Sequence, residues 1–412
     1  MVRNENNDCY PEASVAANFC HPVYSEKSGR KRTKAIHYLI IVLLLCVVVV
    51  AAATFGRVQL APAIQQADAL GGAAMITIET SSKRILYGHN YHTKRPMASV
   101  TKILTAIAVI ENTPNLNKII SVPKQAVGVE GSSIYLAAGE RISVLDLLYG
   151  LMLQSGNDCA VALAIVTAGS LENFSIIMND TAKKAGAKNS NFVNPHGLHH
   201  DDHYTTAYDL AMITAYAMQN ATFREISATR KHTISRTREN SITVIPNKNR
   251  LLASFEGADG VKTGFTKRAG RTLVASATRD GMQVIAVVLN CGPMFQDCAT
   301  LMNRAFSEFT MQKIACQYQK IADVPITNSR KKTIQTGVLD DFYFPLRNNE
   351  QVKTTIKPIQ APLAAPIRKG AEAGEISFLL ENQLLFTTTL YTIEDVKAYN
   401  IKDYLRKILT DW

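Results

Sequence analysis

The sequence predicts an α+β domain built on an antiparallel sheet, followed by a small all-β domain and preceded by an apolar membrane segment. Three observations predict it. Alternating apolar runs open and close the stretch from 70 to 312 while helical runs fill its middle. Short β-branched and aromatic runs, separated by Pro, Gly and Asn, take over near Val324, and an uncharged run covers residues 35 to 55.

The chain begins with a basic leader, residues 1–34. Its densest cluster, Lys27, Arg30, Lys31, Arg32 and Lys34, directly precedes AIHYLIIVLLLCVVVVAAATF, which spans Ala35 to Phe55. That run is long enough to cross a hydrocarbon core of roughly 30 Å. The basic flank orients the leader to the cytoplasm and everything after Arg57 to the outside. Residues 35–56 are therefore a transmembrane anchor or a signal segment. Small-x-small sites at Ala51-Ala52-Ala53, Ala61-Pro62-Ala63 and Ala67-Asp68-Ala69 leave both readings open. The expected location is the cell membrane, with the folded domains extracytoplasmic. The net charge of +11 is spread along the chain and reads as topology, not nucleic-acid binding.

In the exported part, AAMITIETSSKRILYGHN reads as two strands joined by Ser81-Ser82-Lys83. A helix then runs from Ser99 to about Asn112, where Asn-Thr-Pro stops it. LDLLYGLMLQ and DCAVALAIVTA are two apolar helices interrupted at Gln154-Ser155-Gly156-Asn157, and a polar break between buried helices needs a reason. Further helices are expected over Leu171–Ala185 and Thr205–Gln219, a hairpin around Asp280-Gly281, and a closing helix from Met294 to Met311. Residues 324–397 read as a small β-sandwich with no catalytic constellation of its own. The tail, 399–412, sets Ile401, Tyr404, Leu405, Ile408, Leu409 and Trp412 at helical spacing opposite Lys402, Arg406 and Lys407, as either a docked helix or an interfacial one. Seven cysteines are too few for a disulfide scaffold, and spacing leaves open a Cys291–Cys298 bridge or buried thiols.

Ser99-Val-Thr-Lys102 places a serine one helical turn before a lysine, which could take its proton. Spacing alone does not decide, since Ser28/Lys31, Ser121/Lys124 and Ser329/Lys332 repeat it in a basic leader, beside Pro123 and in a charged linker. Context does. Ser155-Gly156-Asn157 and Lys262-Thr263-Gly264 follow in order, and the set resembles the penicillin-recognising serine enzymes with their β-lactamase/transpeptidase-like fold. GSSIYL, LLYGLMLQSGNDCAVALA, NFVNPHGL, TTAYDLA and KTGFTKRAGRTLVASA narrow the resemblance to low-molecular-weight penicillin-binding proteins, the serine-type D-Ala-D-Ala carboxypeptidases. It covers roughly residues 70–312.

The resemblance implies removal of the terminal D-Ala from peptidoglycan stem peptides through an acyl-enzyme on Ser99. It makes Lys102 the base, Ser155 a proton relay, and Asn157 the holder of the substrate amide. Lys262 and Thr263 would receive the terminal carboxylate, Gly264 would leave room for the substrate strand, and the N–H groups of Ser99 and Phe265 would form the oxyanion hole. β-Lactam antibiotics would be covalent inhibitors and membrane lipids a further partner; no cofactor, metal or nucleic acid is implied. Two departures stand out: Asp297 falls where better-known members carry a carboxylate-binding arginine, and Cys159 replaces the alanine common after SGND. The rival readings are a membrane-bound β-lactam receptor, a β-lactamase, and a zinc peptidase using the histidines of HGLHHDDH.

Overall fold

The computed structural model describes residues 65–66, 70–238, 241–359 and 362–410. The expected membrane segment and Trp412 lie outside the described residues. Among the described residues no single helix is long and apolar enough to cross a membrane.

Strands β1 (Gly72–Glu79) and β2 (Ile85–His89) form the first hairpin, and β3 (Ala258–Thr266), β4 (Gly270–Arg279) and β5 (Met282–Cys291) come from the far end of the domain. Asp280 and Gly281 join β4 to β5 at φ 48° and 77°, the left-handed pair that a two-residue hairpin turn requires. The spatial order is β2-β1-β5-β4-β3, antiparallel throughout, with Gln65–Gln66 added parallel to β2. Strand β3 is consequently an edge.

The central strands are apolar on both sides because the sheet separates two cores. Ala74, Ile76, Ile78, Ile285 and Val287 pack into the helical layer, while Met75, Val284, Ala286 and Val288 face the opposite core. A 3-10 turn, Ala98–Thr101, leads into α1 (Lys102–Asn112). The helical layer continues with α2 (Val144–Leu153), α3 (Asn157–Ala168), α4 (Leu171–Lys184), α5 (Ala207–Ala217) and α6 (Ala221–Ala228). Side chains of Ser143, Ser170, Thr206 and Asn220 accept first-turn amides of α2, α4, α5 and α6, which sets where each starts. The other face is covered by α7 (Met294–Glu308).

Helix α7 stops at Glu308 rather than at Met311, because Thr310 already begins a strand. The β domain contains β6 (Thr310–Ala315), β7 (Ala322–Thr327), β8 (Thr333–Gly337), β9 (Phe342–Leu346), β10 (Val352–Pro358), β11 (Glu372–Leu380) and β12 (Gln383–Thr392). It starts earlier than residue 324 since TMQKIA lacks clean alternation and is a strand only through its pairing with β9. The larger sheet runs β10-β11-β12-β8-β7, with Leu363–Ala364 parallel to β7, over a core that includes Ile334, Ile376, Phe378 and Leu390.

At the joint with the catalytic domain, the Arg84 guanidinium lies 5.0 Å from the Phe309 ring centroid and 5.4 Å from that of Phe344. It also pairs with Glu350 at 2.5 Å. Cys159, Cys291, Cys298 and Cys316 are free thiols, so the Cys291–Cys298 bridge that spacing allowed is absent; Cys291 donates instead to Asp297 Oδ2 at 3.1 Å.

Candidate active site

The 3-10 turn brings Ser99 to the head of α1, one turn from Lys102. Lys102 is 0% exposed, and its Nζ lies 3.0 Å from Ser99 Oγ, 2.7 Å from Asn157 Oδ1 and 2.7 Å from the His196 carbonyl. Burial, and next the charge of Lys262, hold its pKa well below the ordinary lysine range. A neutral amine donates only two hydrogens, which Asn157 and His196 can take, leaving its lone pair for the Ser99 hydroxyl.

The polar break between α2 and α3 has its reason here. Ser155 is buried with φ 65°, a left-handed conformation rare outside glycine, and it turns the chain so that Asn157 opens α3. Asn157 Nδ2 donates to the Glu130 carbonyl at 2.5 Å, so the amide that meets Lys102 is held from its other end. The next residue, Asp158, is buried and accepts from Ser133 Oγ at 2.6 Å and from the backbone amides of Ile134 and Leu136, both at 3.1 Å. That carboxylate folds the GSSIYL segment onto the start of α3.

The third motif lies on the edge strand β3. Lys262 is 1% exposed with Nζ 2.9 Å from the Thr263 carbonyl; burial, then Lys248, push its pKa down to about 7. A Cβ at Gly264 would fall 2.4 Å from Thr272 Oγ1 and 3.0 Å from Ser99 N, so glycine lets the strand come this close to the Ser99 turn. Phe265 stands 64% exposed at the rim.

Ser99, Lys102, Ser155, Asn157, Lys262, Thr263, Gly264 and Phe265 thus lie on three segments, and hydrogen bonds tie Ser99, Lys102 and Asn157 together directly. Asp297 is not among them. It is buried in the first turn of α7, accepting from Gly71 N at 2.8 Å as well as from Cys291. Cys159 is buried beside Asp158, and burial first, then that charge, push its thiol pKa far up. In the histidine-rich loop, His199 and His200 approach Asp201 and Asp202 at the surface, while His203 is buried and His196 supplies its carbonyl to Lys102. Sequence reasoning missed Lys248, whose Nζ lies 3.1 Å from Ser132 Oγ and whose charge depresses both other lysines. Nothing in NKNRLL marks it; only the fold carries it there.

Residues 61–292 match the D-alanyl-D-alanine carboxypeptidase family, and residues 309–398 match the C-terminal domain of penicillin-binding protein 5. The carboxypeptidase DacC of Escherichia coli is 31% identical over 349 residues, covering 81% of this chain and 86% of the relative. DacF of Bacillus subtilis is 29% identical over 346 residues, covering 82% of this chain and 89% of its own. Penicillin-binding protein 5 from Haemophilus influenzae superposes with a TM-score of 0.67 at 28% identity, over 80% of this chain and 98% of that one. The DD-transpeptidase of Streptomyces K15 does so with 0.55 at 32% identity, over 58% and 98%. Fold and site together define a penicillin-binding serine enzyme. The chain belongs to the D-alanyl-D-alanine carboxypeptidase family, and its activity is that of a D-alanyl-D-alanine carboxypeptidase.

Proposed function

We propose that Ser99 is the nucleophile that removes the terminal D-Ala from peptidoglycan stem peptides. The observation that carries this reading is the 3.0 Å contact between Ser99 Oγ and an amine buried away from water. Neutral Lys102 takes the Ser99 proton as Oγ bonds to the penultimate D-Ala carbonyl carbon. The oxyanion that forms is received by the N–H groups of Ser99 and Phe265. Its collapse breaks the C–N bond, and the departing amine takes a proton from Ser155, which recovers one from the Lys102 ammonium. Asn157 holds the substrate amide, and Lys262 and Thr263 take the terminal carboxylate beside Gly264. Water then attacks the ester, with Lys102 again as base, and frees Ser99. A β-lactam acylates the same oxygen. Incubating the exported portion with a peptide ending in D-Ala-D-Ala should release free D-alanine, and Ser99→Ala should release none; release undiminished in Ser99→Ala would refute the assignment.

The same reading places the enzyme outside the cytoplasmic membrane, held by residues 35–56 while they are retained. Helix α8 (Ile401–Thr410) supports a second lipid contact. Asp403 is buried on its domain side, accepting from Arg330 Nε at 2.6 Å, whereas Ile401 and Leu409 are each 80% exposed and Leu405 and Ile408 share their face. Co-sedimentation with anionic vesicles should be measurable for residues 70–412 and lost when the chain ends at 398; equal binding, or none by either, would reject the lipid role.

A further inference from the structure

His203, in the histidine-rich loop, is 3% exposed, with its ring edge-on to Phe192 at 5.8 Å between centroids. The Val193 amide lies 3.1 Å from its Nδ1. A backbone amide only donates, so Nδ1 carries a lone pair and the hydrogen of the neutral ring sits on Nε2. Nε2 is 2.9 Å from Thr101 Oγ1, which is 2.8 Å from the Ala98 carbonyl oxygen. The direction of the chain follows: Nε2–H donates to the threonine oxygen, and the threonine hydroxyl donates to the Ala98 carbonyl.

Ala98 needs holding. Its φ of 54° lies in the left-handed region that a Cβ disfavours, and it immediately precedes Ser99. The Ala98 carbonyl and the Ser99 N–H belong to one planar peptide unit, so fixing the carbonyl fixes where the amide points. Gly197, from the same loop, crowds that carbonyl as well, since a Cβ there would stand 2.0 Å from Ala98 O. The neighbouring His196 carbonyl takes Lys102 Nζ at 2.7 Å. One loop braces both the peptide that carries the nucleophile and the amine beside it.

We propose that His203 is a positioning residue whose neutral imidazole anchors Thr101, and through it the Ala98–Ser99 peptide, aiming the Ser99 amide at the oxyanion formed during acylation. This rests on the assignment of Ser99 as nucleophile. Burial, followed by His196, His200, His199 and Lys102, pushes the His203 pKa down to about 3, so the ring stays neutral at working pH. The histidine that a metal site would have recruited is committed on both nitrogens, Nδ1 to the Val193 amide of its own loop and Nε2 to the Thr101 hydroxyl of the Ser99 turn.

The test is penicillin acylation of the full chain, with the bond-forming rate constant and the preceding binding constant resolved, for His203→Ala, Thr101→Val, their double variant and His203→Gln. His203→Ala and Thr101→Val should each slow bond formation between about tenfold and a hundredfold with binding little changed, less than the roughly hundred- to thousandfold cost of deleting an oxyanion donor. The double variant should be no slower than the slower single one, because both break one chain. Glutamine offers a donor and an acceptor from one amide and should recover most of the rate. His199→Ala, altering a surface ring beside Asp201, should leave it unchanged. Unchanged bond formation in both single variants, losses that multiply in the double, or a loss confined to binding would overturn the proposal. If His203→Ala does not fold, Thr101→Val and His203→Gln decide it alone. Wild type labelled away from Ser99 would overturn the underlying assignment, whereas label on Ser99 with unaffected variants would overturn this inference only.

Discussion

Lysines separate the two domains. On β10 of the β domain, Lys353 and Lys357 are exposed, as a strongly hydrated ammonium group should be. In the catalytic domain, Lys102 and Lys262 are buried, and no carboxylate pairs with either Nζ among the described residues. Burying an ammonium without a counter-charge is costly, so both amines respond by losing affinity for the proton. The β domain keeps these two lysines in water, and the catalytic domain holds two buried amines at a cost in stability, as the proposed general base requires.

The sharpest way to break this contrast is to make the charge permanent. Arginine stays protonated at any working pH, so Lys102→Arg should lose acylation by roughly 10²–10⁴-fold, the usual worth of a general base. On the proposed assignment Lys262 acts as a positive charge, so Lys262→Arg should retain measurable acylation. Rates of penicillin labelling compare the two, and the opposite ranking would exchange their roles.

A smaller effect is expected at the joint between the domains. Arg84 and Glu350 are both largely buried, and Arg84→Ala leaves the carboxylate only its weaker contacts with Arg347, the guanidinium at 3.6 Å and the backbone amide at 2.8 Å, at a cost of about 2 kcal/mol in denaturant unfolding. A change under about 0.5 kcal/mol would mean the contact is replaced by water.

Smaller again is a gain. The unfolded chain binds more protons than the folded one between about pH 7, the pKa of buried Lys262, and the ordinary lysine range. Stability therefore rises with pH across that window, and the penalty is greatest at and below its lower end. Lys262→Met removes the penalty. It should raise the melting temperature by a few degrees at pH 7 and by less at pH 10, while impairing the enzyme. Lys357→Ala, on an exposed strand, should change stability by no more than about 0.5 kcal/mol at either pH.

What was legible in the sequence follows the same division. The Asp280-Gly281 turn and the paired apolar helices are local, and local chemistry announces them. So were Ser99, Lys102, Ser155, Asn157, Lys262 and Gly264, because each belongs to a short ordered motif. The start of the β domain was not, since β6 is a strand only through its partner β9. Nor was the work of Lys248, Asp158, Thr101 and His203, whose contacts reach across 116, 22 to 25 and 102 residues respectively for the Lys248–Ser132, Asp158–loop and Thr101–His203 pairs. The polar break at Gln154–Asn157 was visible as an anomaly, and its explanation required seeing what Asn157 touches.

The central claim is that Ser99 carries the acyl group, and intact-mass analysis with peptide mapping after brief exposure to a penicillin tests it most directly. The account predicts one covalent adduct, located on the peptide containing Ser99, in wild type, in Ser121→Ala and in Ser329→Ala, and no adduct in Ser99→Ala. An adduct of undiminished yield in Ser99→Ala, or one mapped to any other serine in wild type, would contradict it.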